Sequence, residues 1–325
     1  MLGIIIIAAI VLLIGALFLY APRRAQKTTW GVVFSQMHAQ KLGLDWKETY
    51  LALLDDLKVR DIKIAVNWDM IEPGAGQYDF GDLDWQLDQA ASRNARVILV
   101  IGMKTPRWPE CHIPDWATGI GKPKQQQEIL DYLRTIVQRY ANRPEITTWQ
   151  VENEPLFPFG TCPWRDPQFL AHEADWVRSL DPVKRQVLIS DSGEGSLWIN
   201  AARVGDVVGV TMYRVAYFDK LGIYIHYPIP PAFYWIKKEI ITKLFHKPVI
   251  CVELQAEPWC PGSLYNSTVQ EEKKTMPIGQ LEANIGFAQK TGLDTFYLWG
   301  GEWWYWMKTK QNDSSFWDEA KKLWQ

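Results

Sequence analysis

Two glutamates that end or follow apolar runs are the residues best suited to chemistry in this sequence. Glu154 follows the run Ile146–Val151, and Glu253 ends the run Pro248–Glu253. A carboxylate at the end of a buried strand loses hydration, which favours its protonated form unless a partner offsets that loss. Cleavage of a glycosidic bond needs two such groups, one to protonate the leaving oxygen and one to attack the anomeric carbon. We therefore expect Glu154 and Glu253 to form a catalytic pair.

Either glutamate alone also has a structural interpretation. Glu154 would then cap a helix or form a salt bridge at the rim of the fold, and Glu253 would neutralise a buried lysine or arginine. The presence of both, each at the end of an apolar run, favours the catalytic interpretation.

The elements that must position these residues are eight apolar runs that alternate with amphipathic stretches, the pattern of strand-loop-helix units around a parallel sheet. Their near-continuous valine and isoleucine suits strands buried on both faces, and eight strands can close a barrel. We predict an α/β fold, a (β/α)8 TIM barrel over residues 29–325, with its active site at the carboxyl ends of the strands. The predicted strands are Trp30–Ser35, Ile62–Asn67, Arg96–Ile101, Ile146–Val151, Gln186–Ser190, Val207–Met212, Pro248–Glu253 and Thr295–Trp299.

Between the runs, stretches with apolar residues recurring at three and four positions predict helices. These are Asp45–Leu57, Asp82–Arg93, Gln125–Tyr140, Pro167–Leu180 and Gly279–Thr291. Asp45 and Asp82 are the predicted N-caps of the first two. The aromatic, proline-interrupted segment Tyr217–Phe245 is expected to enlarge the loop after the sixth strand. A doubly wound open sheet is the alternative fold, but no glycine-rich phosphate loop follows the first run.

The amino-terminal region has the composition of a membrane anchor. Residues 2–20 are uncharged and apolar, which is just long enough for a helix to cross the hydrocarbon core of a bilayer. A cleaved signal peptide is less consistent, since the run ends in large residues rather than a small-residue cleavage site. We predict a single transmembrane helix over residues 1–21 and a basic linker over residues 22–28. The basic flank alone would place the barrel in the cytoplasm, whereas the chemistry favours an extracytoplasmic barrel.

Composition restricts the partners. The 35 basic and 37 acidic residues nearly balance, so nucleic acid is not an expected partner. The chain has 18 tryptophans, and large flat side chains favour a ligand that stacks on them, such as a sugar. Of the four cysteines, Cys111 and Cys162 could bridge neighbouring loops, or all four could be unpaired. No CxxC motif or histidine cluster indicates a metal, and we expect no cofactor.

Several motifs resemble clan A glycoside hydrolases, which are retaining enzymes on (β/α)8 barrels. The strongest is WQVENEP at residues 149–155, which resembles the strand-four signature of that clan. KPVICVE at 247–253 and YLWGGEWW at 297–304 are similar to its strand-seven and strand-eight signatures. The segment from Trp68 to Phe80 resembles the stretch that follows strand two.

The resemblance implies a role for five residues. Glu154 would be the general acid/base and Glu253 the nucleophile of a double displacement. Asn153 would hydrogen-bond the sugar 2-hydroxyl, Tyr213 would contact the nucleophile, and Trp299 would form the floor of the sugar subsite. These roles suit the side chains, because an amide can strengthen its bond as an oxocarbenium ion develops and an indole face packs on sugar C–H groups.

The sequence also departs from the clan's pattern. The arginine expected on strand two is absent or replaced by Lys63, and Thr211 stands where a histidine is expected before Tyr213. Four further residues are predicted to bind substrate, although each could instead be structural. They are Asn67 and Trp68 after strand two, Lys104 after strand three, and Glu302, which could alternatively order its tryptophan-rich loop.

We expect a carbohydrate substrate, a β-linked oligo- or polysaccharide that is cleaved through a covalent glycosyl-enzyme intermediate. Two alternatives stay open. The missing arginine and histidines allow a catalytically silent carbohydrate-binding barrel, and an anchored enzyme could be a transglycosidase that remodels cell-surface glycans.

Overall fold

The computed structural model describes residues 15, 17–20, 22–219 and 221–325. The predicted anchor over residues 1–21 therefore lies mostly outside the described residues. Within the part of the chain that is described, no helix is both long enough and apolar enough to span a bilayer. The predicted basic linker, residues 22–28, has neither helix nor strand.

Eight parallel strands close into a barrel, which confirms the predicted (β/α)8 fold. Each of the eight apolar runs forms one strand, and the first strand pairs with the last, with Thr29 opposite Thr295. The barrel strands are β1 (Thr29–Phe34), β2 (Asp61–Ala65), β3 (Arg96–Ile101), β4 (Ile146–Val151), β5 (Gln186–Asp191), β6 (Val207–Met212), β9 (Val249–Gln255) and β10 (Thr295–Trp299). Two short strands, β7 (Val215–Phe218) and β8 (Ile223–His226), form an antiparallel hairpin outside the barrel.

Apolar side chains pack on both faces of the barrel wall, because successive residues of a strand point to opposite faces. On β1, Val33 belongs to a small cluster that also holds Ile98 and Val252, whereas Val32 and Phe34 pack in the larger cluster with the helices. This double burial explains the near-continuous apolar runs.

Helices surround the barrel and alternate with its strands. They are Gln36–Lys41, Trp46–Asp55, Trp68–Ile71, Gly81–Ser92, Lys122–Arg139, Pro167–Leu180, Ile199–Val204, Pro231–Phe245, Val269–Glu272, Ile278–Ala288, Gly301–Lys310 and Ser315–Lys321. Asp45 caps its helix as predicted and accepts from the amides of Lys47 and Glu48. Asp82 does not cap the next helix, which begins one residue earlier, at Gly81, after Phe80. Its carboxylate lies instead in the first turn, where the helix dipole favours a negative charge.

The loops at the carboxyl ends of the strands are long after β3, β4, β6 and β9. Cys111 and Cys162 form a disulfide, with Cα atoms 5.2 Å apart, that joins the loops after β3 and β4. The segment after β6 contains the β7–β8 hairpin and then the helix Pro231–Phe245. The sequence predicted an enlarged loop there without its hairpin.

Candidate active site

Glu154 lies just after β4 in a backbone conformation that aims its side chain toward the barrel mouth. Its φ is 43°, and its amide donates to Ser190 Oγ on β5 at 2.8 Å. Thr211 Oγ1, on β6, donates to Glu154 Oε1 at 3.2 Å. The residue is 8% exposed and has no cationic partner among the described residues. The threonine at the position of the expected histidine thus contacts this carboxyl group directly.

Glu253, within β9, is held at both carboxylate oxygens. Lys63 Nζ on β2 donates to Oε1 at 2.9 Å, and the Tyr213 hydroxyl after β6 donates to Oε2 at 3.1 Å. Glu253 is strongly buried, Lys63 is fully buried, and Tyr213 is partly buried. A buried ammonium group this close stabilises the ionised form of a carboxylate. Lys63 therefore supplies the cation that was expected from an arginine.

The two carboxyl groups have contrasting environments. Burial raises the pKa of Glu154 well above its ordinary value, and the negative charges of Glu253 and Glu110 raise it further. Glu253 has a lysine and a phenol that bind its charged form. One carboxyl group with a raised pKa beside another that binds an ammonium group is the arrangement expected of a proton donor and a nucleophile in glycoside cleavage.

Glu152 precedes Glu154 by two residues and would point the same way in a regular strand. It does not, because β4 ends at Val151 and both glutamates have positive φ. The carboxylate of Glu152 accepts from the amides of Met103 and Lys104 at 2.7 and 2.6 Å. Glu152 thus stabilises the loop after β3. The backbone geometry after β4 directs Glu154, and not Glu152, toward the cleft.

Glu154 and Glu253 face a cleft of about 810 Å³ at the carboxyl ends of the strands. Aromatic side chains form much of its wall: Tyr213 packs edge-on against Trp259 at 5.2 Å between ring centroids, and Trp259 contacts Phe159 at 5.6 Å. Trp108, which is 59% exposed, continues this row at the rim. Flat apolar walls with a few convergent polar groups are typical of sugar-binding clefts.

Trp299 lines the cleft, but one face of its indole is covered by a cation. The guanidinium of Arg107 lies 3.8 Å from the centroid of the Trp299 ring. Arg107 forms ion pairs with Glu257 and with Glu302, the latter at 3.3 Å. Burial opposes the charged form of Glu257, but Arg107 and then His38 outweigh this effect and lower the pKa of Glu257 to about 2. Glu302 is fully buried and also accepts from the Ser35 amide, so it orders this wall and does not reach the cleft.

Asn153 lies beside a third carboxyl group of the cleft. Its Nδ2 donates to Glu110 Oε2 at 3.3 Å, and its Oδ1 accepts from Gln150 Nε2 at 3.1 Å. The amide is buried and therefore fixed in orientation by these partners. Glu110, on the loop after β3, lines the cleft directly.

Besides Glu302, three further residues predicted to bind substrate are not brought to the cleft. β2 ends at Ala65, and the chain then turns into the helix Trp68–Ile71, which buries Trp68 completely. Asn67 is also buried and accepts from Thr105 Oγ1 at 2.7 Å. The ammonium group of Lys104 donates to the carbonyls of Glu154 and Phe157 and stabilises the loop after β4. These side chains support the site from behind.

Sequence reasoning missed Arg107, Glu110 and His38 as cleft residues. Arg107 and Glu110 belong to an irregular loop without helical or strand periodicity, so no pattern singled them out. Their position between the third strand and Cys111 was the available signal. No group of three or more histidine, cysteine, aspartate or glutamate side chains suitable for a metal ion occurs in residues 22–219 or 221–325.

Comparison with known proteins shows similarity to glycoside hydrolases. The family Glyco_hydro_42, described as β-galactosidase, matches residues 44–170. The β-galactosidase of the psychrophilic Marinomonas ef1 superposes with a TM-score of 0.54 at 12% identity, over 83% of this chain and 53% of that one. This chain thus spans about half the length of that enzyme.

Two other solved structures are similar over more of their length. Xylanase 10B from Thermotoga maritima has a TM-score of 0.58 at 16% identity, over 84% of this chain and 83% of that one. A GH5_18 variant from Bifidobacterium longum subsp. longum in complex with Manb1-4GlcNAc has a TM-score of 0.61 at 12% identity, over 84% and 68%. At such identities the likeness shows the fold. The family match and the closed parallel barrel together confirm the resemblance to clan A (β/α)8 glycoside hydrolases.

Proposed function

We propose that the protein is a retaining β-glycosidase in which Glu154 is the general acid/base and Glu253 the nucleophile. The observation that carries the proposal is the pair of carboxyl groups in one cleft, one without a cation and one bound by Lys63 and Tyr213. Glu154 would protonate the leaving oxygen while Glu253 attacks the anomeric carbon. Glu154 would then deprotonate the water that releases the sugar. Tyr213 and Lys63 would keep Glu253 ionised and oriented.

A silent carbohydrate-binding barrel is less well supported. Its main argument was the missing arginine on strand two, and Lys63 supplies a buried cation to Glu253 in its place. A fully desolvated ion pair at the base of a cleft is costly to maintain in a protein that only binds. The aromatic wall suits sugar rings in either case, so it does not distinguish a glycosidase from a barrel that only binds sugar.

The test is hydrolysis of a panel of aryl β-glycosides and β-linked polysaccharides by the full-length protein and three variants. Glu253→Gln is expected to lower kcat by at least about a thousandfold, since it removes the attacking group. Glu154→Gln is expected to lose roughly 10²–10⁴-fold on substrates whose leaving group needs a proton. Because an activated aryl leaving group departs without protonation, added azide should rescue Glu154→Gln and give a glycosyl azide of retained configuration.

The control variant is Glu48→Gln, which removes the same charge from an exposed helix position far from the cleft. It should retain full activity. Equal activity of Glu253→Gln and the unmutated protein would refute the catalytic assignment, and sugar binding without any turnover would support the silent barrel instead.

Membrane attachment through residues 1–21 remains a proposal from the sequence. β1 begins at Thr29, at the face of the barrel opposite the cleft. An anchor before it would leave the cleft facing away from the bilayer, where large glycans can enter. A topology reporter fused at either end of the chain would distinguish an extracytoplasmic barrel from a cytoplasmic one.

A further inference from the structure

The proposed mechanism does not use the carboxyl group of Glu110, although it faces the cleft beside the catalytic pair. Glu110 is 5% exposed. Its Oε2 accepts the 3.3 Å hydrogen bond from Asn153, and within the described chain its Oε1 has neither a hydrogen bond nor an ion pair. A carboxyl oxygen without a protein partner, on a largely buried side chain that lines a cleft, is available to a ligand.

The backbone holds Glu110 firmly in this position. Its φ is 74°, an uncommon conformation for a side chain of this kind, and such strain concentrates at functional sites. Its amide donates to the Arg107 carbonyl at 2.7 Å, and its carbonyl accepts from the Thr105 amide at 2.9 Å. The next residue, Cys111, is tied by the disulfide to Cys162. The chain therefore fixes this carboxyl group from both sides.

Among the described residues, no cationic side chain forms an ion pair with Glu110. In the same part of the chain, two cationic or titratable basic side chains line the cleft, Arg107 and His38, and both bind Glu257. The ammonium group of Lys63 is bound to Glu253, and that of Lys104 donates to backbone carbonyls. The carboxyl groups that line the cleft are those of Glu110, Glu154, Glu194, Asp219, Glu253 and Glu257.

This imbalance favours a ligand that brings a positive charge. An ionised carboxylate that is removed from water needs a cation or several hydrogen-bond donors to offset its lost hydration. Burial, opposed by Lys104 and reinforced by Glu253, raises the pKa of Glu110 to about 7. An ammonium group of a bound substrate would restore its ionised form and make a charge-assisted hydrogen bond.

The place of that ammonium group on the sugar follows from the neighbours of Glu110. Glu110 accepts a 3.3 Å hydrogen bond from Asn153, the residue before Glu154, and it lines the same cleft as Glu154 and Glu253, the two groups proposed to act at the anomeric carbon. Of the two ring atoms bonded to that carbon, the ring oxygen has no substituent and C2 has one. We propose, on the basis of the proposed glycosidase function, that Glu110 binds a free amino group at C2, so that the substrate is a β-glycoside of a 2-amino-2-deoxy sugar. An N-acetyl group would remove the charge and add bulk against a rigid loop.

The test compares 4-nitrophenyl β-glycosides that differ at C2 alone, with a hydroxyl, a free amine or an acetamido group, in the gluco, galacto and manno series. In the full-length protein at pH 7, kcat/KM for the amine should exceed that for the other two by about tenfold or more, as expected for a charge-assisted hydrogen bond. Glu110→Gln should remove most of this preference, measured within the variant as the ratio of kcat/KM for the amine to kcat/KM for the hydroxyl sugar. The matched control is Asp219→Asn, which removes a charge from the exposed rim of the same cleft and should shift the preference much less.

Each other outcome overturns a specific statement. Preference of the unmutated protein for a hydroxyl or acetamido sugar would overturn the proposal that the substrate has a free amine at C2. This comparison does not depend on the folding of any variant. An equal loss on all substrates in Glu110→Gln, or an equal shift in Asp219→Asn, would overturn recognition by Glu110. Hydrolysis of neutral sugars that Glu253→Gln abolishes would leave the glycosidase intact, whereas no turnover of any glycoside would instead refute the proposed function.

Discussion

Lys63 and Glu253 form a buried ion pair, with 2.9 Å between Nζ and Oε1. The sequence left two interpretations of Glu253, a catalytic carboxylate or the partner of a buried lysine; the structure shows the lysine pair, and it also places Glu253 in the lining of the cleft. These interpretations are compatible, because a nucleophile must stay ionised in a site from which water is excluded. The position of Lys63 on β2 also explains how the chain can lack the expected arginine.

Lys63→Met is expected to damage stability and catalysis together. Removing one partner of a buried pair leaves an uncompensated charge and typically costs about 3–5 kcal/mol. Urea denaturation at pH 7 measures the loss, and kcat should fall in parallel. Lys63→Arg, which keeps the charge, should recover part of both, and Lys124→Met on an exposed helix position should change neither. Unchanged stability of Lys63→Met would mean that Glu253 is neutral in the folded protein.

The pH dependence of the rate should report on Glu154. As a general acid it must be protonated, so kcat/KM should hold on the acidic side and fall as the pH rises through its raised pKa. Glu110→Gln removes one of the charges that raise this pKa, and the alkaline limb should therefore move to lower pH. Complete pH–rate profiles of both proteins on a hydroxyl sugar would measure the shift. A limb that moves to higher pH, or stays in place, would contradict the coupling between these two groups.

At the scale of elements, the strands were predictable and the loops were not. Burial on both faces leaves a near-continuous apolar run, so each of the eight strands was recognisable, and β4 and β9 located Glu154 and Glu253. Asn67 and Trp68 were misplaced because β2 ends at Ala65, and no feature of the run shows where a strand stops and a buried helix begins. Arg107 and Glu110 were missed because loop contacts have no period. Recognition of such residues requires the fold.

The loop after β4 makes room for Glu110 through a glycine. Gly160 has a φ of 90°, and a Cβ built on it would lie 2.5 Å from the Cβ of Glu110. Gly160→Ala is therefore expected to destabilise the protein by roughly 2–4 kcal/mol, as the sum of backbone strain and overpacking, and to displace Glu110.

Gly119→Ala is the matched control for this change. Gly119 has a similar φ of 79°, but a Cβ there would meet nothing within 4 Å. The backbone strain should be alike in both variants, so the difference between their free energies of unfolding measures the clash with Glu110. Equal destabilisation of the two would show that the loop yields to the added methyl group.

For the whole molecule, buried carboxyl groups predict that stability falls as the pH rises. Burial raises the pKa of Glu110 and of Glu152 to about 7, so the folded chain binds more protons than the unfolded chain between about pH 4.5 and 7. The stabilisation is fully present at the acidic end of this window and is lost toward its alkaline end, by roughly 2–3 kcal/mol for one such group. Glu257, whose pKa is lowered, contributes a constant amount above pH 5.

Urea denaturation at pH 5, 6, 7 and 8 checks this dependence. The free energy of unfolding should decrease along the series. In Glu110→Gln this free energy should decrease less steeply, because one titrating group is gone. Stability that rises from pH 5 to pH 8 would mean that these groups are ionised in the folded protein.

The disulfide between Cys111 and Cys162 gives the assembly of the cleft a dependence on where the chain folds. The barrel closes through backbone pairing and apolar packing, neither of which involves a thiol. The loop that carries Arg107 and Glu110 is held by this disulfide, which forms and persists in an oxidising compartment. A chain that folds under reducing conditions would keep its barrel, Glu154 and Glu253 in place, whereas the loop after β3 would be less rigid. Under the proposed function, the conditions in which the chain folds would then change its selectivity among substrates and leave its capacity to cleave them unchanged.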